Sequence, residues 1–126
     1  MTASALLLAI PGLLFTFMPA EILFYFNQAS AKPVELLIQI SGALYVGFAM
    51  LNWMTRTSVI GGIYNKPMVV ANFSHFFIAA MALIKIMMAD AGLPAWLWAV
   101  TAIYTIFAMC FGVLFMKNPV AKKEII

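Results

Sequence analysis

Four apolar runs, one closed by Pro19 and three introduced by Pro33, Pro67 and Pro94, leave this chain few ways to fold. A membrane-spanning helix needs about 20 mostly apolar residues, because the hydrocarbon core is about 30 Å thick and each helical residue rises about 1.5 Å. Runs at about residues 34–54, 68–89 and 94–116 meet that length, and a run at about 3–18 approaches it. In lipid, backbone groups must find partners within their own segment, so the runs are expected to be helices. Only 9% of the 126 residues are charged and 66% are hydrophobic, whereas charged residues make up about a quarter of a soluble domain. The fold expected is all-α: an integral membrane four-helix bundle, one four-span domain over residues 1–126.

The joints refine this picture. Pro11-Gly12 interrupts the first run and is expected to kink it and free a carbonyl. No Lys or Arg precedes that run and no A-x-A site follows, so a retained helix is expected rather than a signal peptide. After Pro19, residues 20–26 read as a short interfacial helix with Glu21 near its positive end. "TRTSVIGGIYNKP" carries the breakers Gly61-Gly62 and Asn65-Lys66-Pro67 and reads as a loop dipping into the interface. "DAGLP" is a tight joint, and Trp53, Trp96 and Trp98 suit the headgroup boundary. Four spans put both termini on one side, with Arg56, Lys66, Lys117, Lys122 and Lys123, while Lys32 lies opposite; both termini are therefore expected in the cytoplasm. The short chain and plain loops suit a bacterial cytoplasmic membrane.

The sequence pI is about 9.2, but the basic residues are scattered and the longest basic run is Lys122-Lys123, which argues against nucleic acid as a partner. Cys110 stands alone, excluding an intrachain disulfide and a CxxC pair, and reads as a packing residue. Phosphate loops, HExxH and GxSxG are absent, and a lone histidine without a partner cysteine or central carboxylate makes a poor metal site. No metal and no cofactor is expected.

Polar residues within the runs are the candidates for function. In "ANFSHFFIAAMALIK", Asn72, His75, Ala79, Ala82 and Ile86 recur at steps of three and four and should share a face, with Phe73, Phe76, Phe77 and Met81 mostly elsewhere. The second run sets Ser41, Tyr45 and Asn52 on one face with Gly42 and Ala49. The fourth offers Thr101, Tyr104, Thr105, Ala108 and Gly112, where Ala108-x-x-x-Gly112 permits close backbone approach or a homodimer contact. Burying an amide or imidazole in hydrocarbon without a partner costs several kcal/mol, so Tyr45, Asn52, Asn72, His75, Thr101 and Tyr104 are expected to form a polar seam. One reading makes the seam glue, with hydrogen bonds across helices. The other makes it a cavity in which His75, with Tyr45, Tyr104 or Asn52, binds a polar head or moves protons. No carboxylate at the middle of a run stands ready to orient the imidazole. Lys85 is expected to snorkel to the headgroups or to Asp90, and Glu21 and Glu35 could pair with Lys32.

The stretches "PGLLFTFMPAEILFYF", "GALYVGFAMLNWMTR", "IYNKP", "ALIKIMMADAGLP" and "FGVLF" resemble the small four-helix membrane proteins of the DoxX-like and ergosterol-biosynthesis-scaffold-like families, over roughly residues 6–116. That resemblance implies a four-helix bundle and, in the sterol-pathway relatives, a non-catalytic tether for lipid-modifying enzymes. A related four-span group includes sterol isomerases that use acidic residues with histidine; His75 has no acidic companion, and Lys85 stands where some relatives carry Arg. The function expected is a membrane accessory or scaffold protein, more plausibly not an enzyme, tied to lipid metabolism. Its expected partners are membrane lipids and a membrane-bound enzyme or a second copy. The alternatives are a lipid- or isoprenoid-binding protein or isomerase built on His75, and a small transporter subunit. A small multidrug-resistance transporter needs a buried acid in its first span, and Glu21 falls after Pro19.

Overall fold

The computed structural model describes residues 1–57, 65–90 and 92–117. Of these, 84% are helical and none lies in a strand. The elements are α1 (Thr2–Phe17), α2 (Pro19–Tyr25), α3 (Lys32–Met54), α4 (Lys66–Ala89) and α5 (Trp96–Lys117). Three of them, α3, α4 and α5, are 22 to 24 residues long and apolar enough to cross a membrane. The helix α1 has 16 residues, and α2 leaves it at 98°, a bent pair divided at Met18.

Proline sets the helix starts. Pro33 and Pro67 lie within the first turns of α3 and α4, which begin at Lys32 and Lys66 rather than after the prolines as expected. A first-turn N–H has no intrahelical acceptor, so its loss at proline costs nothing there. Pro19 likewise opens α2. Pro11 falls inside α1, which continues through it to Phe17. The chain leaves α2 by a turn that the sequence reading passed over: Asn27 has φ 54°, its amide bonds Phe24 O at 3.0 Å, and Gln28 N bonds Leu23 O at 2.9 Å. That pair of bonds around a left-handed residue is the Schellman closure of a helix, and Asn tolerates the conformation better than most side chains.

The chain divides into two compact units, Met1–Thr57 and Ser58–Ile126. In the first, α1 packs along α3 and α2 touches both. The helices run antiparallel, with Gly12 against Val46 and Thr16 against Gly42. A Cβ on Gly42 would stand 2.6 Å from both the Thr16 amide nitrogen and Oγ1, and one on Gly12 would stand 2.9 Å from Val46 N. Neither approach leaves room for a methyl group, so glycine here sets how closely the backbones meet. In the second unit α4 packs along α5. The expected interfacial loop at residues 58–64, including Gly61 and Gly62, lies outside the described residues, as do Lys122 and Lys123.

Candidate functional site

The α4–α5 contact gathers most of the predicted polar residues. Thr101, Tyr104, Ala108 and Phe111 are buried at steps of three, four and three, which puts them on one face of α5. From α4 that face receives Phe76, fully buried, with its ring centroid 5.0 Å from Phe107, 5.7 Å from Phe111 and 5.3 Å from Tyr104. The first two contacts are stacked and the third is edge-to-face, the arrangements that ring quadrupoles favour. His75 lies beside this cluster, its ring 5.2 Å from Phe76 and 6.1 Å from Tyr104. Further along the pair, a Cβ on Gly112 would come within 3.2 Å of Phe73 Cε2. Ala108 and Gly112 are thus engaged within the unit.

Several polar donors in these helices bond along the helix that carries them. Asn72 Nδ2 donates to Met68 O at 3.0 Å, Thr101 Oγ1 to Leu97 O at 2.8 Å and Thr105 Oγ1 to Thr101 O at 2.8 Å. The same bond to the carbonyl four residues back recurs in the first unit, from Thr16, Ser41 and Thr55 to Gly12, Leu37 and Leu51 at 2.7 to 2.8 Å. A helix carbonyl keeps a second lone pair after accepting its backbone N–H, and a short hydroxyl or amide on the next turn reaches it. Each of these donors thus has an acceptor on its own helix.

The remaining seam residues are on α3. Asn52 is fully buried on the face that also buries Gly42 and Ala49, while half-buried Tyr45 sets its ring edge-on to Phe15 at 5.7 Å. Tyr45 and Asn52 are two turns apart, about 10 Å along the axis. Of the six expected residues, Tyr45 and Asn52 belong to α3 of the first unit, and Asn72, His75, Thr101 and Tyr104 to α4 and α5 of the second.

Phe76 corrects the reading of α4, since it was expected off the packing face and is instead the centre of the contact. The buried stripe is Val69, Asn72, Phe76, Ala80 and Met87, whereas Ala82 and Ile86 are exposed. Phe107 and Phe111 were not singled out either; the signal available was their four-residue spacing on α5, next to the polar stripe that was read. Among the described residues the carboxylates sit at helix ends, with Glu21 and Glu35 in first turns and Asp90 capping α4. Asp90 accepts the Gly92 amide at 2.8 Å rather than pairing with exposed Lys85. Glu35 accepts the Ser30 hydroxyl and lies 3.6 Å from Lys32, the pairing its position beside the first loop had suggested. Chemically, the α4–α5 site offers an imidazole and a phenol against a packed aromatic wall, with Asp90 about 22 Å along α4 from His75. Compared with protein-family models, curated proteins and solved structures, the chain finds no match in any of the three.

Proposed function

We propose that this chain is an integral membrane accessory or scaffold protein of DoxX-like type, acting without catalysis beside lipid-modifying enzymes. In this reading α3, α4 and α5 each cross the bilayer, α1 is a fourth and shorter span, and α2 lies at the interface. Both termini face the cytoplasm of a bacterial cell, following the cations Arg56, Lys66 and Lys117, and the surfaces exposed to lipid are those of Phe17, Phe24, Met88 and Met116, each more than 70% exposed. The observation that carries the non-catalytic reading is Phe76, which fills the space beside His75 with stacked rings while neighbouring polar donors bond to their own helices. Such a contact supports shape rather than turnover.

A second reading draws on the 6.1 Å approach of His75 to Tyr104, which could orient an imidazole toward a lipid or isoprenoid head. Native mass spectrometry of the protein gently extracted from its own membranes separates the two, comparing wild type with His75→Ala. A membrane polypeptide retained by both supports the scaffold. A small molecule retained by wild type and lost from the variant overturns it in favour of a ligand site.

A further inference from the structure

Away from His75, the first unit carries an apolar groove of about 380 Å³ between α1 and α3. Its base is small, made by Ala5, Ala9 and Ala49, of which Ala5 and Ala49 are buried; its sides are exposed Leu13, Met50 and Met54. The groove runs from Val46 to Met54, about 12 Å along the helix at about 1.5 Å per residue. That is close to one leaflet of hydrocarbon, half of about 30 Å. Its volume lies within the roughly 300–1,000 Å³ of small-molecule sites.

One end of the groove differs from the rest. Trp53 lines it, and the Arg56 guanidinium lies 4.0 Å over the indole centroid while Nη1 donates to Trp53 O at 2.6 Å. The stacking and this one bond hold the guanidinium against Trp53, a lining residue, and a guanidinium has five N–H donors, so several are left for an anion. Arg56 is exposed, and the stretch from Trp53 to Pro67 holds a second cation, Lys66, but no acid. Within this unit Glu35 lies about 31 Å away along the α3 axis.

We infer that this groove holds one acyl chain of an anionic glycerophospholipid, with the lipid phosphate on Arg56 and the chain running past Trp53 over the alanine base. The inference rests on the membrane reading above and adds the ligand class to it. Charge selects the occupant: an apolar helix of a second protein would leave the guanidinium without a counter-ion, whereas an anionic lipid supplies tail and phosphate together. Cytoplasmic-leaflet anionic lipids would meet Arg56 on the side to which the cations assign it.

The test uses the full chain with Trp96→Phe and Trp98→Phe, leaving Trp53 as the reporter, in phosphatidylcholine vesicles containing a minor fraction of phosphatidylglycerol. Bromine on the acyl chains of one lipid or the other quenches Trp53 on contact, read relative to unbrominated vesicles of the same composition. Brominated phosphatidylglycerol is expected to show about a fivefold preference over brominated phosphatidylcholine, the equivalent of about 1 kcal/mol for one cation at a membrane surface. Arg56→Gln should abolish the preference and Arg56→Lys should retain most of it, while Ala9→Phe, which fills the groove, should reduce quenching by both lipids. Equal quenching by the two lipids, or a preference that survives Arg56→Gln, overturns the inference. Absence of quenching by either lipid in protein that floats with the vesicles means that protein covers the groove, and overturns it too. Failure to float with the vesicles at all overturns the membrane reading, and the inference with it.

Discussion

Gly42 and Gly47 are five residues apart on α3 and show how differently one residue type can serve. A methyl group on Gly42 would strike the Thr16 backbone, whereas one on Gly47 would meet nothing within 4 Å. Gly42→Ala is therefore expected to destabilise the first unit by about 1–3 kcal/mol through overpacking. Gly47→Ala should be neutral or stabilise by up to about 1 kcal/mol through helix propensity. Denaturant titration in detergent, followed by circular dichroism, checks both. Asn27 makes a second test: Asn27→Gly should be tolerated, and Asn27→Val should cost about 1–3 kcal/mol, because a β-branched residue resists positive φ. Gly42 was legible as a small residue on a packing face. The role of Gly12 was not, because Pro11 beside it offered a sufficient local explanation, and its partner Val46 lies 34 residues away on α3.

At the scale of the helix, boundaries were legible to within about two residues and faces were less so. The stripe Asn72, Ala79 and Ile86 repeats every seven residues, and on a straight helix such a repeat drifts by about 20° per heptad. Asn72 is buried as expected, but two heptads later Ile86 is exposed and Met87 has taken its place. Polarity pulled the reading toward His75 and away from Phe76, although a large ring contributes more packing area than an imidazole. If Phe76 organises the α4–α5 contact, Phe76→Ala should cost about 3–5 kcal/mol, while Phe77→Ala, on an exposed position of the same helix, should cost far less. Thermal unfolding of the two variants in one detergent compares them directly. Which hydrogen bonds the polar residues make was not legible, because the choice between a neighbouring helix and the preceding turn depends on a separation that spacing does not reveal.

For the whole molecule, composition and run length were enough to indicate the all-helical class and three helices fit to cross a membrane. Cys110, the single cysteine, offers a clean test of insertion. Its side chain is exposed on α5, seven residues before Lys117, about 10 Å in from the helix end. If lipid covers that surface, a membrane-impermeant maleimide should leave Cys110 unlabelled in intact membranes and label it after denaturation. Labelling in intact membranes at the denatured rate would place α5 in water. Orientation can be checked with reporters fused to each terminus, both expected to be active only in the cytoplasm. The bonds that Thr16, Ser41, Asn72, Thr101 and Thr105 make to their own helices also bear on biogenesis. A nascent segment whose hydroxyl donors already have acceptors on their own helix can leave the translocon for lipid as that helix forms, with less need for a later segment to be synthesised. Synthesis and assembly are then separable steps, and a chain stalled after α3 should already be embedded.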